Sequence, residues 1–191
     1  MNPIEQLLKD REQARANEDP CANLCTVASV DAHNLPQART LVLREVGSRL
    51  ALFLNQTSPK WQQITSTPVI CVVVWLPSVN VQYRLQCRVE PVEKRLVDES
   101  WLLRPRIPKQ LDWFYTTRQA QSTSVADRQS LVEAVTGLND PEHEFAPRTA
   151  RGWYLKPFHV DRLDLANPSG VHDRHGYALV AGVWQEAVLV P

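Results

Sequence analysis

The sequence has no excess of either charge and no apolar run long enough to cross a membrane. Its 191 residues include 21 Lys and Arg and 21 Asp and Glu, so the formal net charge is zero. A balanced surface offers neither the broad basic footprint that binds nucleic acid nor a polybasic membrane anchor. The longest apolar run, residues 69–76, is far shorter than the roughly 20 residues that span a bilayer. We therefore expect no nucleic-acid and no membrane partner, and any anion must bind at a local site.

Metal-binding and secretion signals are also missing. The four cysteines, Cys21, Cys25, Cys71 and Cys87, lack the spacing of zinc fingers and zinc ribbons. Cys21 and Cys25 could form a disulfide or bind a metal, but no neighbouring His or Cys pattern supports this. Residues 1–20 contain no continuous apolar core of the kind found in a signal peptide. We therefore predict no metal site and a reduced, cytoplasmic protein.

The chain length and the order of its patterns favour one domain, residues 1–191, that is mainly β with peripheral helices. Residues 1–18 are predicted to contain an N-terminal helix that packs on this domain. Strand patterns cluster towards both ends of the sequence and helical patterns lie between them, which is typical of an antiparallel barrel with appended helices. The predicted strands span residues 22–30, 37–46, 49–55, 69–76, 81–92, 152–165, 175–184 and 186–190.

Local signals refine this arrangement. Short connections join the first three strands, so we predict an antiparallel meander. The run at 69–76 is apolar on both faces and is predicted to be a central strand. Ser58 is a good N-cap and Pro59 suits the first position of a helix, so a short helix is predicted over residues 61–67. Further helices are predicted over residues 93–103 and 125–136, and a loop over residues 138–151.

Residues 39–60 have the features of a local phosphate site. Arg39 offers a planar fork that can bind two phosphate oxygens, and Lys60 offers a compact charge. Ser58 supplies a hydroxyl and caps a helix whose free N–H groups carry a partial positive charge. These features predict phosphate binding, although solvated strand arginines and Ser-Pro helix starts also occur in proteins without such a ligand.

Arg44 is predicted to have a different role from Arg39. The two arginines lie five residues apart, so a regular strand points their side chains to opposite faces. The two arginines could bind one ligand together only if the strand contained a bulge. Alternatively, the backbone of the strand contacts the ligand and the two side chains have different roles. We therefore expect Arg44 to contact a reactive ring or a substrate.

Five motifs follow one another along the chain. They are RTLVLR (39–44), FLNQTSPK (53–60), VQYRLQCRVE (81–90), LLRPR (102–106) and VHDRHGY (171–177). In this order they resemble the pyridoxamine 5′-phosphate oxidase family of FMN-binding split barrels, with Arg44 in place of the family's usual lysine. The resemblance implies an antiparallel split β-barrel, a homodimer with FMN at its interface, and oxidation of a small molecule by the flavin.

The resemblance also implies roles for individual residues. Arg39, Ser58 and Lys60 would hold the FMN phosphate. Gln82 would hydrogen-bond the flavin ring and Arg174 would also contact the cofactor, and in a homodimer both can serve the other subunit's flavin. The backbone that lines the isoalloxazine ring would comprise Thr40, Leu41, Val42, Leu43, Arg44, Phe53 and Leu54.

Substrate contacts are implied for Arg44, Arg104 and His172, of which Arg44 and His172 are the catalytic candidates. The substrate is expected to be a small molecule, and an anionic one suits these side chains. Gln121 and Ser122 match the family's Gln-Ser cofactor contact only if a short insertion is allowed.

Three positions depart from the family pattern at the substrate site. Gly170 replaces the arginine that precedes the His-Asp-Arg motif, Ser100 replaces a phosphate-binding tyrosine, and Pro108 replaces a serine. Each lost charged or hydroxyl contact removes about 1.5–3 kcal/mol of binding. The cofactor site is thus predicted to be retained, while the site for pyridoxamine phosphate is not.

The leading hypothesis is an FMN-dependent oxidoreductase whose substrate differs from pyridoxamine 5′-phosphate. Two alternatives stay open: a genuine pyridoxamine 5′-phosphate oxidase, and a flavin-binding or redox-sensing protein without turnover. A weaker third is a related barrel that has lost flavin and binds haem or nothing.

Overall fold

The computed structural model describes residues 1–138, 145–166 and 168–191, and over these residues nine strands form one curled antiparallel sheet. The strands are β1 (Leu24–Val30), β2 (Pro36–Val42), β3 (Arg44–Val46), β4 (Arg49–Asn55), β5 (Val69–Leu76), β6 (Val81–Pro91), β7 (Ala150–Asp164), β8 (Asp173–Val180) and β9 (Val183–Val188). Their order is β2-β1-β5-β6-β7-β4-β3, and β8 pairs with β7 and β9 with β8. The predicted central place of the apolar strand is confirmed, because β5 lies between β1 and β6.

Helices surround this sheet. In the described ranges they are α1 (Pro3–Ala16), α2 (Pro59–Ser66), α3 (Lys94–Leu102), α4 (Arg106–Thr117) and α5 (Arg128–Thr136). Asn2 and Ser58 are the N-caps of α1 and α2, and a proline follows each of them. Among the described residues, none of these helices combines the length and the apolar character of a membrane span.

The loop predicted over residues 138–151 can be compared with the structure only in part. Residues 139–144 lie outside the described residues, and β7 already begins at Ala150.

The strand predicted over residues 37–46 is broken at Leu43, so the predicted meander is present only as two separate antiparallel pairs, β1 with β2 and β3 with β4. Leu43 is buried and its N–H donates a 2.9 Å hydrogen bond to the carbonyl of Asn23. Before this residue β2 pairs with β1, and after it β3 pairs with β4. Consequently β2 and β4 are not neighbours in the sheet, and β2 and β3 form the two ends of the strand path.

Helix α4 was not predicted from the sequence. It carries Pro108 as its third residue, where the backbone N–H has no partner within the helix, so the proline ring costs little. Its buried side chains include Asp112 and Phe114. No element is predicted from the sequence over residues 106–117, where the structure has this twelve-residue helix.

The strand predicted over residues 175–184 is in fact a hairpin. Ala181 and Gly182 have φ angles of 49° and 81°, as the two central residues of a type I′ turn require. Val180 and Val183 pair across this turn, so β8 and β9 replace the single strand.

Two buried clusters hold the helices to the sheet. The main core packs α1 and α2 on the strands, and includes Leu7, Val27, Ile64, Val72 and Leu85. The second packs α3 on β7, and includes Val97, Trp101 and Tyr154. These clusters fix α2 and α3 at positions where both border the same cleft.

Arg11 of α1 ties the N-terminal helix to the break between β2 and β3. Only 1% of its surface is exposed. Its Nε donates to the carbonyl of Ala22 at 3.0 Å, and its Nη2 donates to the carbonyl of Leu43 at 2.9 Å. The remaining Nη1 pairs with Glu45. The helix thus fixes the residue immediately before Arg44.

Candidate functional site

A cleft of about 570 Å³ is bordered by β2, β4 and the helices α2, α3 and α4. It brings together Arg44, Lys60, Arg104 and Gln121, which are far apart in the sequence. The predicted ring-binding residues that line it are Thr40, Leu41, Val42, Arg44, Phe53 and Leu54. Another groove, of about 620 Å³ between α4 and α5, contains none of the predicted site residues.

The two arginines are separated as their spacing predicted, although Arg44 lies beyond the break at Leu43 and belongs to β3. Thr40, Leu41, Val42 and Arg44 line the cleft. Arg39 points to the opposite side, where its Nη1 donates to Oγ of Ser29 at 2.6 Å and its Nη2 to Oε1 of Gln63 at 2.8 Å. Because Gln63 belongs to α2, Arg39 connects this helix, which borders the cleft, to the sheet.

Lys60 stands in the first turn of α2. Its Nζ donates a 3.2 Å hydrogen bond to Oε1 of Gln121. Burial, and next the charge of Arg39, lower the pKa of Lys60, and burial also lowers the pKa of Arg39. Within the described residues, no carboxylate forms an ion pair with either cation. An anion at this point would relieve the repulsion, and the N-terminus of α2 favours one as well.

Ser58 is fully buried and its hydroxyl is already engaged. It donates to the carbonyl of Asn55 at 2.7 Å and accepts from the N–H of Trp61 at 3.3 Å. The structure thus assigns Ser58 the N-cap of α2, and its contact with a phosphate stays a prediction. Gln121, which the sequence left open, does reach the cleft, whereas Ser122 is exposed.

The other end of the cleft contains an ion pair between Arg104 and Asp112. Asp112 is 3% exposed and also accepts from Nε1 of Trp101 at 3.1 Å and from Nδ2 of Asn55 at 3.4 Å. Burial raises the pKa of Asp112, while Arg104 and the hydrogen bonds oppose that change. Asp112 is not among the predicted site residues, because no helix is predicted for its segment of the sequence.

A chain of hydrogen bonds runs along the cleft from Asp112 to Lys60. Asn55 donates to Asp112 and accepts from Oγ1 of Thr57 at 2.8 Å. The N–H of Gln121 donates to Oγ1 of Thr57 at 3.1 Å, and Gln121 in turn accepts from Lys60. Asn55 and Thr57 lie in the FLNQTSPK motif, where an Asn two residues before a Thr is the signal of a side-chain turn.

Gln82, Arg174 and His172 are not among the described residues that line this cleft. Gln82 on β6 and Arg174 on β8 both pair with Leu163 of β7, on either side of it. Arg174 donates to both carboxylate oxygens of Asp161, at 3.2 and 2.8 Å. His172 is exposed in the turn before β8. The contacts of Gln82 and Arg174 with a flavin, and the contact of His172 with a substrate, stay predictions.

Metal ligands are not grouped in the described part of the chain. Over these residues, no three or more His, Cys, Asp and Glu side chains are placed to hold one ion. All four cysteines are free thiols, and burial raises the pKa of Cys25 to about 12.

Comparison with known sequences identifies relatives over most of the chain. A family model described as Pyridoxamine 5′-phosphate oxidase matches residues 12–139. The pyridoxine/pyridoxamine 5′-phosphate oxidase of Neisseria meningitidis serogroup B is 32% identical, over 100% of this chain and 90% of that protein. The protein of the same name from Pseudomonas entomophila is 31% identical, over 89% of this chain and 79% of that protein.

Two solved structures share the fold. PhzG from Burkholderia lata, solved with tetrahydrophenazine-1-carboxylic acid, has a TM-score of 0.83 at 18% identity, covering 99% of this chain and 92% of that one. A pyridoxamine 5′-phosphate oxidase-related, FMN binding protein from Nostoc punctiforme has a TM-score of 0.81 at 15% identity, covering 100% and 99%. At these identities the likeness establishes the fold. The predicted antiparallel split β-barrel with peripheral helices is confirmed.

Proposed function

Because the chain belongs to the pyridoxamine 5′-phosphate oxidase family, we propose that it is an FMN-dependent oxidoreductase with a changed substrate site. The cleft carries this proposal. One end holds Lys60 in the first turn of α2, and the charge of Arg39 acts on it from the other side of β2; neither cation forms an ion pair with a carboxylate in the described part of the chain. The other end holds Arg104, and Arg44 also lines the cleft. This charge distribution suits a phosphorylated cofactor with a substrate beside it.

Lys60 and Arg39 would hold the FMN phosphate, and Gln121 would orient the ammonium of Lys60 towards it. The backbone of residues 40–44 and 53–54 would line the isoalloxazine ring. When bound, FMN supplies hydride acceptance and subsequent reoxidation by oxygen or another acceptor, while the protein supplies orientation and electrostatics.

Arg44 and Arg104 would bind and orient the substrate. Arg44 is exposed on the cleft side of β3, where it attracts an anionic group. Phe53, Leu111 and Pro108 give the cleft an apolar wall that excludes water. His172 would act from the partner subunit, since it does not line the cleft of its own chain.

Ser100 and Pro108 support the changed substrate site. Both line the cleft, at positions where the family resemblance expects a tyrosine and a serine that bind phosphate. A serine and a proline supply one short hydroxyl and no charge in their place. Binding of a substrate phosphate is weakened in consequence.

The absorbance spectrum of the purified protein tests FMN binding. We expect a yellow protein that releases FMN when it is denatured, and Arg44→Ala should lower turnover more than FMN content. A colourless protein that does not take up added FMN contradicts the proposal.

A genuine pyridoxamine 5′-phosphate oxidase is the second candidate, because relatives that carry this name are 31–32% identical over most of the chain. Hydrogen peroxide formed from pyridoxamine 5′-phosphate at ordinary enzymatic rates would establish it. Bound FMN that neither nicotinamide cofactors nor amines reduce would instead favour a flavin-binding protein without turnover.

A homodimer with FMN at the interface is part of the proposal. Gln82 and Arg174 would then contact the partner's cofactor, and Lys60 its own. We therefore expect Lys60→Ala and Arg174→Ala each to bind FMN poorly. Mixing the two variants should restore binding, since each mixed dimer contains one intact site. No restoration, in protein that light scattering shows to be dimeric and exchanging subunits, contradicts the shared site.

A further inference from the structure

The substrate end of the cleft contains a carboxylate that faces its basic residues. Asp112 pairs with Arg104 and lines the cleft beside it. We propose that Asp112 determines specificity by neutralising Arg104, so that the cleft selects an aromatic carboxylate over a phosphate ester. This inference rests on the proposed function, since it names the substrate class of the same site.

The net charge differs between the two ends of the cleft. Its basic lining residues are Arg44, Lys60 and Arg104. Lys60 lies beside Arg39 at the start of α2 and belongs to the cofactor phosphate. At the other end, Asp112 cancels the charge of Arg104. Arg44 is then the source of the net charge at the substrate end, which is one positive charge. This charge balances a monoanion and not a dianion.

The carboxylate of Asp112 is held in place by donors from different elements. Asn55 of β4 donates to one carboxylate oxygen, and Trp101 of α3 and Arg104 donate to the other. Burial raises the pKa of Asp112, and these donors oppose that rise because they favour the ionised form. The ion pair also holds Arg104, whose side chain is about a third exposed and lines the cleft.

The neutral lining agrees with this selection. Ser100, Pro108 and Leu111 add no cation to the substrate end, and Phe53 and Leu111 offer apolar surface to a ring. Burial, and next the charge of Asp112, raise the pKa of Tyr115, so its hydroxyl stays protonated. A neutral hydroxyl donor is suited to a ring carboxylate when it stands together with Arg44, which forms no ion pair with another described residue.

Benzoate and phenyl phosphate form a matched pair of probes, because they share a ring and differ in charge. At about pH 8 benzoate is a monoanion and phenyl phosphate a dianion, since its second pKa is about 6. Both are titrated calorimetrically into the FMN-loaded full chain. The proteins compared are the native chain, Asp112→Asn, Asp112→Glu, and the control Glu99→Gln, whose carboxylate pairs with Arg95 on the surface of α3.

The native protein is expected to bind benzoate at least as tightly as phenyl phosphate. Because Coulomb energy scales with ligand charge, Asp112→Asn should tighten phenyl phosphate by about tenfold and benzoate by about threefold. Asp112→Glu and Glu99→Gln should keep the native ratio of affinities. A ratio that is unchanged in Asp112→Asn overturns the proposal, and so does failure of both probes to bind any of the proteins.

A double variant covers the case in which Asp112→Asn does not fold. Asp112→Asn with Arg104→Gln removes both charges and leaves the net charge of the substrate end unchanged. The native preference should persist in it, whereas a preference that moves more than about threefold towards benzoate shows that Arg104 binds phosphate directly and overturns the inference. Absence of bound FMN in the native protein is a failure of the proposed function itself, and it is read from the spectrum before any titration.

Discussion

Lys60 and Gln121 meet across 61 positions of sequence, at 3.2 Å between Nζ and Oε1. The contact joins the first turn of α2 to the segment that follows α4. It places an amide oxygen on the ammonium at the point where two cations repel each other. Gln121 therefore lies beside the predicted phosphate site, and its contact with a cofactor stays a prediction.

Removing the charge of Lys60 is expected to weaken FMN binding. Lys60→Ala should lower the affinity by about 10- to 100-fold, the loss of one charge-assisted hydrogen bond, and Arg39→Ala should act in the same direction. Fluorescence quenching of added FMN measures the affinity. Lys94→Ala, at an exposed ion pair on α3, and Cys21→Ser should leave it unchanged. Equal FMN affinities in all four variants would contradict the proposed phosphate site.

Ser58 is expected to stabilise the protein whether or not FMN is bound. Its hydroxyl bridges the carbonyl of Asn55 and the N–H of Trp61, so Ser58→Ala should lower the free energy of unfolding by about 1–2 kcal/mol. Urea denaturation of FMN-free protein measures this, with Ser66→Ala at the exposed end of α2 as the control. If only the FMN-loaded protein lost stability, the hydroxyl would act on the cofactor and not as a cap.

Asp161 is expected to stabilise the protein at neutral pH and not in acid. Burial raises the pKa of Asp161, but Arg174 and then Arg84 outweigh it, and the net pKa lies below the ordinary value of 3.8. A lowered pKa gives stability that is present above about pH 3.8 and is lost as the pH falls through the folded-state pKa.

Asp161→Asn tests this sign. At neutral pH the variant should be less stable than the native chain by about 1–3 kcal/mol, because two arginines lose their partner. The difference should shrink below about pH 3.8, where the native carboxylate also becomes protonated. Thermal unfolding at several pH values measures it. A difference that grew in acid would show that the pKa is raised.

Arg11 is expected to support both the fold and the cleft. Arg11→Leu leaves the carbonyls of Ala22 and Leu43 without their donor, and should cost about 2–4 kcal/mol of unfolding free energy. FMN affinity should fall as well, since Leu43 precedes Arg44. Arg15→Ala is the matched control: it loses an ion pair to the same Glu45 from the surface and should cost less than about 1 kcal/mol. If the two variants lost equal amounts of unfolding free energy, the buried hydrogen bonds of Arg11 would not have the stabilising role proposed here.

The sequence predicted those elements whose local signals agree with their packing. The strands β4 and β5 have the predicted bounds. β4 is buried on both faces and therefore reads as an apolar run, and β5 keeps apolar residues on both faces although only alternate ones are buried. Helix α2 follows its Ser-Pro start as predicted. Local chemistry alone specified these segments.

Other features depend on contacts between distant segments and could not be read locally. The break at Leu43 is set by Arg11 of α1, thirty-two positions away. Asp112 acquires its role only when α4 brings it against Asn55 of β4 and Trp101 of α3. A single carboxylate inside an unassigned segment has no sequence pattern that marks it as a partner of Arg104.

The strand path of the sheet ends at β2 and β3, and this has a consequence for how a ring can be held. Each is an edge strand, so alternate backbone N–H and C=O groups point away from the ladder and have no sheet partner. Such groups border the cleft along residues 40–42 of β2 and at Arg44 of β3, whatever the side chains are, whereas both main-chain groups of Leu43 are already hydrogen-bonded. A flat heterocycle would be recognised there by main-chain groups. The side chains along that edge can then change in evolution without loss of the binding surface.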